Sequence, residues 1–347
     1  MNAGDYSHLD EGLEILSAYG PEYGGGLTNH APMAIEALSA LGRSGSVIPW
    51  LERYRKGLQP RLAARGRIED WQTELGDYAR VAEWMAFFEN ESKERAWQEL
   101  LALWLPRLAP GLIAAATHGP IRVGHAARGL ENGETPRRVR ELTEGLGYWA
   151  ATYHVLPGLP ASAGTLRPSQ AIARLELMPD EQRGRFRLIS EAVGQLGSFA
   201  PFADAAGLVD TSGEASEFLS DLTATFARAY LANARSTIGT IVFVHSVTGP
   251  SSLRPMLPYL TAEQTALALR CAWQAAAALF TVYGIKPAPD GVIEAEGIDR
   301  EDLVDGAIEC GDEHAIKFTE VCLREHGLNP RTEYLAAARH AIGALRR

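Results

Sequence analysis

Apolar residues return every three or four positions along most of this 347-residue chain, a periodicity that favours packed helices over sheets. Segments 32–41, 76–89, 93–106, 137–154, 214–236, 261–283, 312–326 and 331–346 carry it. Leu219, Leu222, Phe226 and Tyr230 form one such stripe. Segment 32–41 starts at a proline and stops at Gly42, the asymmetry expected of a helix. Only residues 237–244 are rich in β-branched side chains, and a buried helix holds such a run as well as a strand does. Thr248-Gly249-Pro250-Ser251 then predicts the start of another helix, with Pro250 near its first turn. The Gly- and Pro-bearing stretches 155–169 and 284–298 read as connections or lids, too short for domain linkers. The expected fold is all-α: one large helical domain over residues 1–347 around a buried histidine-rich site.

Composition narrows the partners. With 46% hydrophobic residues the chain can bury a substantial core. A net charge of −10 argues against nucleic-acid binding through a broad basic surface. Cys271, Cys310 and Cys322 form no C-x-x-C pair and no secreted disulfide framework. The first residues lack the basic and apolar regions of a signal peptide. Apolar runs such as Ala275–Phe280 fall short of the roughly 20 residues that span a bilayer. A cytoplasmic protein is expected, with a small-molecule partner and neither membrane nor nucleic acid. There is no G-x-G-x-x-G after a strand, no H-E-x-x-H and no G-x-S-x-G, and Gly24-Gly25-Gly26 lacks the Lys-Ser/Thr of a phosphate loop.

Histidine carries the remaining signal. Of nine, His8, His326 and His340 read as surface or capping residues, and His154 as a helix terminus. His30 follows Thr28-Asn29 and precedes Pro32, so it is either incidental to a helix start capped by Asn29 or aimed from that start into the core. His118 and His125 lie seven residues apart, facing one way on a helix but about 10 Å apart along it. A straight helix lets only one of them reach a given ion, and Pro120 or Gly124 could bend it. His245 ends an apolar run, as a satisfied core histidine or a site residue. His314 and Lys317 share a helix face that Asp312 could start; Glu313 and Lys317 also suit a surface i,i+4 ion pair. A buried Lys317 would instead lose basicity, and its neutral amine could take up carbon dioxide as a carbamate.

Four blocks, Leu27-Thr-Asn-His-Ala-Pro-Met-Ala, Thr117-His-Gly-Pro-Ile-Arg-Val-Gly-His-Ala-Ala-Arg, His245-Ser-Val-Thr-Gly-Pro-Ser-Ser-Leu-Arg and Asp312-Glu-His-Ala-Ile-Lys, resemble the signature blocks of the questin oxidase-like family, in the same order. The resemblance implies an oxygenase that cleaves or oxidises an aromatic, polyketide-like (anthraquinone-type) substrate with O2. It implies non-haem iron, Fe(II) or another divalent metal, on His30, His118, His245 and His314, with Lys317 as a carboxylated fifth ligand. His125 is the alternative fourth histidine, and His125 and Arg122 are the catalytic side chains expected beside the metal. Arg122 stands where the family pattern is less basic, and the chain is shorter than the fungal members. NADPH, as in Baeyer–Villiger-type members, is an alternative cofactor, and a homodimer is an open expectation.

Four neutral imidazoles bring no negative charge, and a positive Lys317 beside a cation would be repelled by several kcal/mol on an order-of-magnitude basis. Lys317 must then be carboxylated, neutral or turned away. Glu36 and Glu313 are candidates to orient ligand imidazoles. Trp84, Phe87, Tyr148, Tyr153, Phe199 and Phe202 are candidate pocket walls or plain core. Rival functions are a zinc-type hydrolase that activates water and a non-enzymatic helical binding protein.

Overall fold

The computed structural model describes residues 4–158, 164–184, 186–285, 287 and 297–346. Its helices are α1 (Leu9–Leu16), α2 (Ala31–Ala40), α3 (Val47–Tyr54), the short α4 (Trp71–Glu74), α5 (Val81–Glu94), α6 (Trp97–Leu108), α7 (His118–Glu131) and α8 (Pro136–Ala151). Two short helices, α9 (Pro168–Ala171) and α10 (Ile189–Gly194), lead into α11 (Ala215–Asn233), α12 (Thr237–Ser251) and α13 (Ala262–Tyr283). The chain ends in α14 (Arg300–Cys310), α15 (Glu313–Leu328) and α16 (Thr332–Leu345). One mostly helical domain results, as the periodicity predicts. Of the two stretches read as connections or lids, residues 159–163, 286 and 288–296 lie outside the described residues.

Local chemistry sets the helix ends. Thr135 accepts from the Arg138 amide and Pro136 fills the first turn of α8. Thr261 and Gln264 form a reciprocal capping box at the start of α13. The helix expected from residue 76 begins at Val81, because Asp77 first caps a single 3-10 turn at Tyr78–Arg80. The ambiguous run 237–244 is helical, started by the Ser236 hydroxyl accepting from the Gly239 amide. α12 packs against α7, α11, α13, α15 and α16. A helix enclosed on so many sides is apolar all round, and so shows little helical periodicity. The new helix expected at Thr248 does not start there: α12 runs on to Ser251, with Pro250 within its last turn.

Periodicity gave no hint of a small sheet, ordered β2-β1-β3, made of β1 (Tyr19–Tyr23), β2 (Leu27–Thr28) and β3 (Leu58–Pro60). Gly24, Gly25 and Gly26 turn the chain between β1 and β2 with φ of 57°, 75° and 104°, values that L side chains resist. At 22 residues α13 is long and apolar enough to cross a membrane by length and composition. Of its most apolar window, 78% is buried inside the domain, which accounts for that composition by core packing. The core has a large cluster drawn from α5–α8, α11–α13 and α16, and a smaller one from α1, α2 and α3 that also takes Ile316 of α15. Cys271 and Cys322 are buried and Cys310 is half-buried.

Candidate metal centre

Three helices begin where the histidines meet. His30 immediately precedes α2, His118 is the first residue of α7, and His314 is the second of α15; His245 lies inside α12. All four are buried, at 6%, 7%, 6% and 1% exposure respectively. One ligand nitrogen from each falls within 4.8 Å of the other three. His30 Nε2 is 2.6 Å, and His245 Nε2 3.0 Å, from His118 Nε2. The His314 ring packs at 4.7 Å from His30 and 5.4 Å from His245, centroid to centroid.

Each approach has a local cause. Asn29 accepts from the Ala31 amide, as its capping position suggests, and Pro32 fills the first turn, so His30 sits at the mouth of α2. The His30 amide donates to Tyr54 Oη at 3.0 Å, and Glu313 Oε1 lies 3.5 Å from its Nδ1. Ahead of His118, Ala115, Ala116 and Thr117 form a left-handed turn with φ of 47°, 57° and 70°. Such backbone costs about 1–2 kcal/mol per non-glycine residue. It aims the Ala115 carbonyl at His118 Nδ1. A carbonyl only accepts, so Nδ1 carries the proton of the neutral ring and Nε2 presents its lone pair to the cluster. Gly119 allows α7 to approach α8 closely: a Cβ there would meet the Trp149 side chain at 2.8 Å. Asp312 caps α15 by accepting from the His314 amide at 2.8 Å, and its carboxylate lies 3.3 Å from His314 Nδ1. Carboxylate or carbonyl on one ring nitrogen, with the other nitrogen turned inward, is the pattern that orients metal-ligating histidines.

The cluster does not satisfy itself. The single lone pair of His118 Nε2 faces two ring nitrogens and can accept a proton from only one of them. Among the described residues His245 Nδ1 is buried without a well-formed hydrogen bond, although the Ile241 carbonyl pulls its pKa upward. Burial holds His30, His118 and His245 well below the ordinary imidazole range, and Lys317 pushes each the same way. Neutral imidazoles are the protonation state a metal requires. At about 2.0–2.1 Å per metal–imidazole bond, two nitrogens on one ion lie at most about 4.2 Å apart. The bound of 4.8 Å on the four donors is slightly wider than that limit, so small side-chain shifts would bring them onto one divalent cation.

Lys317 is 2% exposed, which rules out the surface ion pair with Glu313. Burial lowers its amine to about 8, against the upward pull of Glu313 and Asp312. The positive ends of three helix dipoles also face the cluster, so a cation there gains from these two carboxylates.

Other candidate residues sit elsewhere. His125 Nδ1 is 2.5 Å from Glu36 Oε2, so Glu36 orients His125 rather than a member of the four-histidine cluster. Arg122 donates twice to Glu141 and once to Glu144. Tyr148 pairs with Thr28 at 2.7 Å, two residues before His30. Trp84 and Phe87 stack among Phe88 and Trp104, and Phe199 and Phe202 are buried in the large core cluster with Tyr153 packed against it. His8 meets Ser44, His340 meets Tyr230, His326 meets the Arg331 backbone, and His154 is exposed. A cavity of about 500 Å³ bordered by Ile172, Asp221, Arg228 and Phe280 has none of the clustered histidines in its wall, so the donor chemistry and not this cavity marks the site. Periodicity and motif gave no signal for Tyr54, for the Ala115 carbonyl or for Glu320, and Arg128 ends the second of the four blocks without a role assigned to it; Arg128 and Glu320 join Glu36 in a buried ion network.

A buried cluster of this kind is compatible with a metal-dependent enzyme in an all-α fold. No protein-family model matches the chain, and no curated protein matches it.

Proposed function

We propose that this protein is a non-haem iron oxygenase of the questin oxidase-like kind, acting on an aromatic, polyketide-like molecule. One observation carries it: four buried imidazoles converge from four helices, and the lone pair of His118 Nε2 faces more ring nitrogens than it can bond. Fe(II) suits imidazole nitrogen with one anionic oxygen, and when bound supplies an electron-rich position for O2. His30, His118, His245 and His314 would hold it. The Ala115 carbonyl fixes the His118 tautomer, and Asp312 and Glu313 hold His314 and His30 by their outer nitrogens.

Lys317 is the proposed fifth ligand. An amine near pKa 8 keeps an appreciable neutral fraction at physiological pH, and that fraction can add to carbon dioxide. The nitrogen lone pair forms the new N–C bond, one C–O π bond becomes the carboxylate, and the amine releases a proton. The product replaces a positive charge with a negative one in a site ringed by helix N-termini.

The test is metal content with oxygen uptake. Iron retention, and O2 consumption with an anthraquinone-type phenol but without NADPH, supports the proposal. NADPH-dependent uptake supports the Baeyer–Villiger alternative. Retained zinc with turnover and no O2 uptake supports a hydrolase. Labelled bicarbonate followed by carbon NMR reads the carbamate, which Lys317→Met must abolish.

A further inference from the structure

A second buried polar layer crosses the four helices that carry the histidines. Glu36 on α2 lies six residues past His30, His125 and Arg128 on α7 lie seven and ten past His118, and Glu320 on α15 lies six past His314. Ser251, at the end of α12, lies six past His245. Arg128 donates from Nε and Nη2 to both oxygens of Glu36, at 2.8 and 2.5 Å, and from Nη1 to Glu320. His125 shares Glu36 Oε2 at 2.5 Å, and Tyr6 donates to Oε1 at 3.0 Å. Beyond Glu320, Arg324 bridges to Glu325, which accepts from Ser251 and from Arg254. The layer therefore ties α2, α7, α15 and α12 together.

We infer that Arg128 is a positioning residue for the histidine cluster: it fixes the register of α2, α7 and α15 at which His30, His118 and His314 converge. The inference rests on the metal-site reading of that cluster. A guanidinium fork binds two carboxylates from two helices at once, whereas a lysine ammonium is a point charge without that geometry. Arg122 provides the contrast. It is on the same helix, more deeply buried, and only four residues from His118, but its partners Glu141 and Glu144 are on α8, which carries no member of the cluster. Proximity would make Arg122 the more important of the two; connectivity selects Arg128.

The experiment compares Arg128→Lys and Arg122→Lys in the full-length protein, with cobalt(II) as the probe. Loss of outer support for a ligand set typically costs 10- to 100-fold in metal affinity, and about that loss, with an altered cobalt visible spectrum, is expected of Arg128→Lys. Arg122→Lys should keep the wild-type spectrum and affinity even if it unfolds more easily. If Arg128→Lys does not fold, Tyr6→Phe removes only the phenol bond to Glu36 and should shift affinity in the same direction by less. Wild-type protein that binds no metal overturns the metal reading. The positional claim is then read from the imidazole NMR signals, which Arg128→Lys should displace and Arg122→Lys should not. Equal effects of the two variants, or no effect of Arg128→Lys or Tyr6→Phe, overturn the inference.

Discussion

At the histidine end of α2, α7, α12 and α15 four buried imidazoles face one another; two turns further along, the buried polar groups are charged and paired. In the second layer Glu36, Glu320 and Glu325 meet Arg128, Arg254 and Arg324, three negative charges against three positive. Burial alone would raise Glu36, but Arg128 and His125 outweigh it and hold its carboxyl well below the usual range. Among the described residues Glu320 Oε2 has no hydrogen-bond partner, although the Glu320 carboxylate pairs with Arg128 and Arg324 through Oε1. The histidine layer has no such internal balance: burial keeps His30, His118 and His245 neutral, and one lone pair faces two neighbours. A layer whose charges balance can act as scaffold, whereas one whose donors and acceptors do not match is built for something added from outside.

Breaking the scaffold should cost the most stability. Truncating one partner of a buried ion cluster strands the others, typically at about 3–5 kcal/mol. Arg128→Met should lose that much in chemical denaturation, because Glu36 and Glu320 stay buried. A loss below about 1 kcal/mol would show that these carboxylates find other partners. Next in size is Gly119→Ala, which pushes a methyl against Trp149 and should cost about 1–3 kcal/mol by overpacking.

Acid should separate the layers. The depressed Glu36 carboxyl stabilises the fold fully above its unfolded pKa of about 4.3. As pH falls below that value the unfolded chain takes up the proton first, and the contribution is lost by the time the folded carboxyl is protonated. Glu36→Gln should therefore be less stable than wild type at pH 7 and close that gap toward low pH; a gap that stays constant with pH would remove Glu36 from the account. The smallest effect is expected at the left-handed turn. Ala116→Gly relieves a φ of 57° but adds freedom to the unfolded chain, so a net gain of about 0.5–1 kcal/mol should appear as a higher Tm.

Much of this was legible in the sequence, for physical reasons that also mark where legibility stopped. The histidines stood out because three precede prolines at helix starts or within a helix end, where few residue types are tolerated. Helix starts were readable from Asn29 and Asp312 because capping is local. Lys317 was not, since its spacing from Glu313 serves a surface ion pair or a buried amine equally, and only packing decides between them. α12 concealed its type because every face of it is apolar. The pairing within the ionic layer left no local trace: Glu36 and Arg128 are 92 residues apart, and Arg128 and Glu320 192 apart.

The most direct test of the central claim is the metal content of untagged protein after anaerobic iron loading, alongside the His118→Ala/His245→Ala double variant. About one equivalent in the wild type, lost in a double variant that still folds, is the predicted result. Less than about a tenth of an equivalent of any transition metal in folded wild-type protein would contradict it.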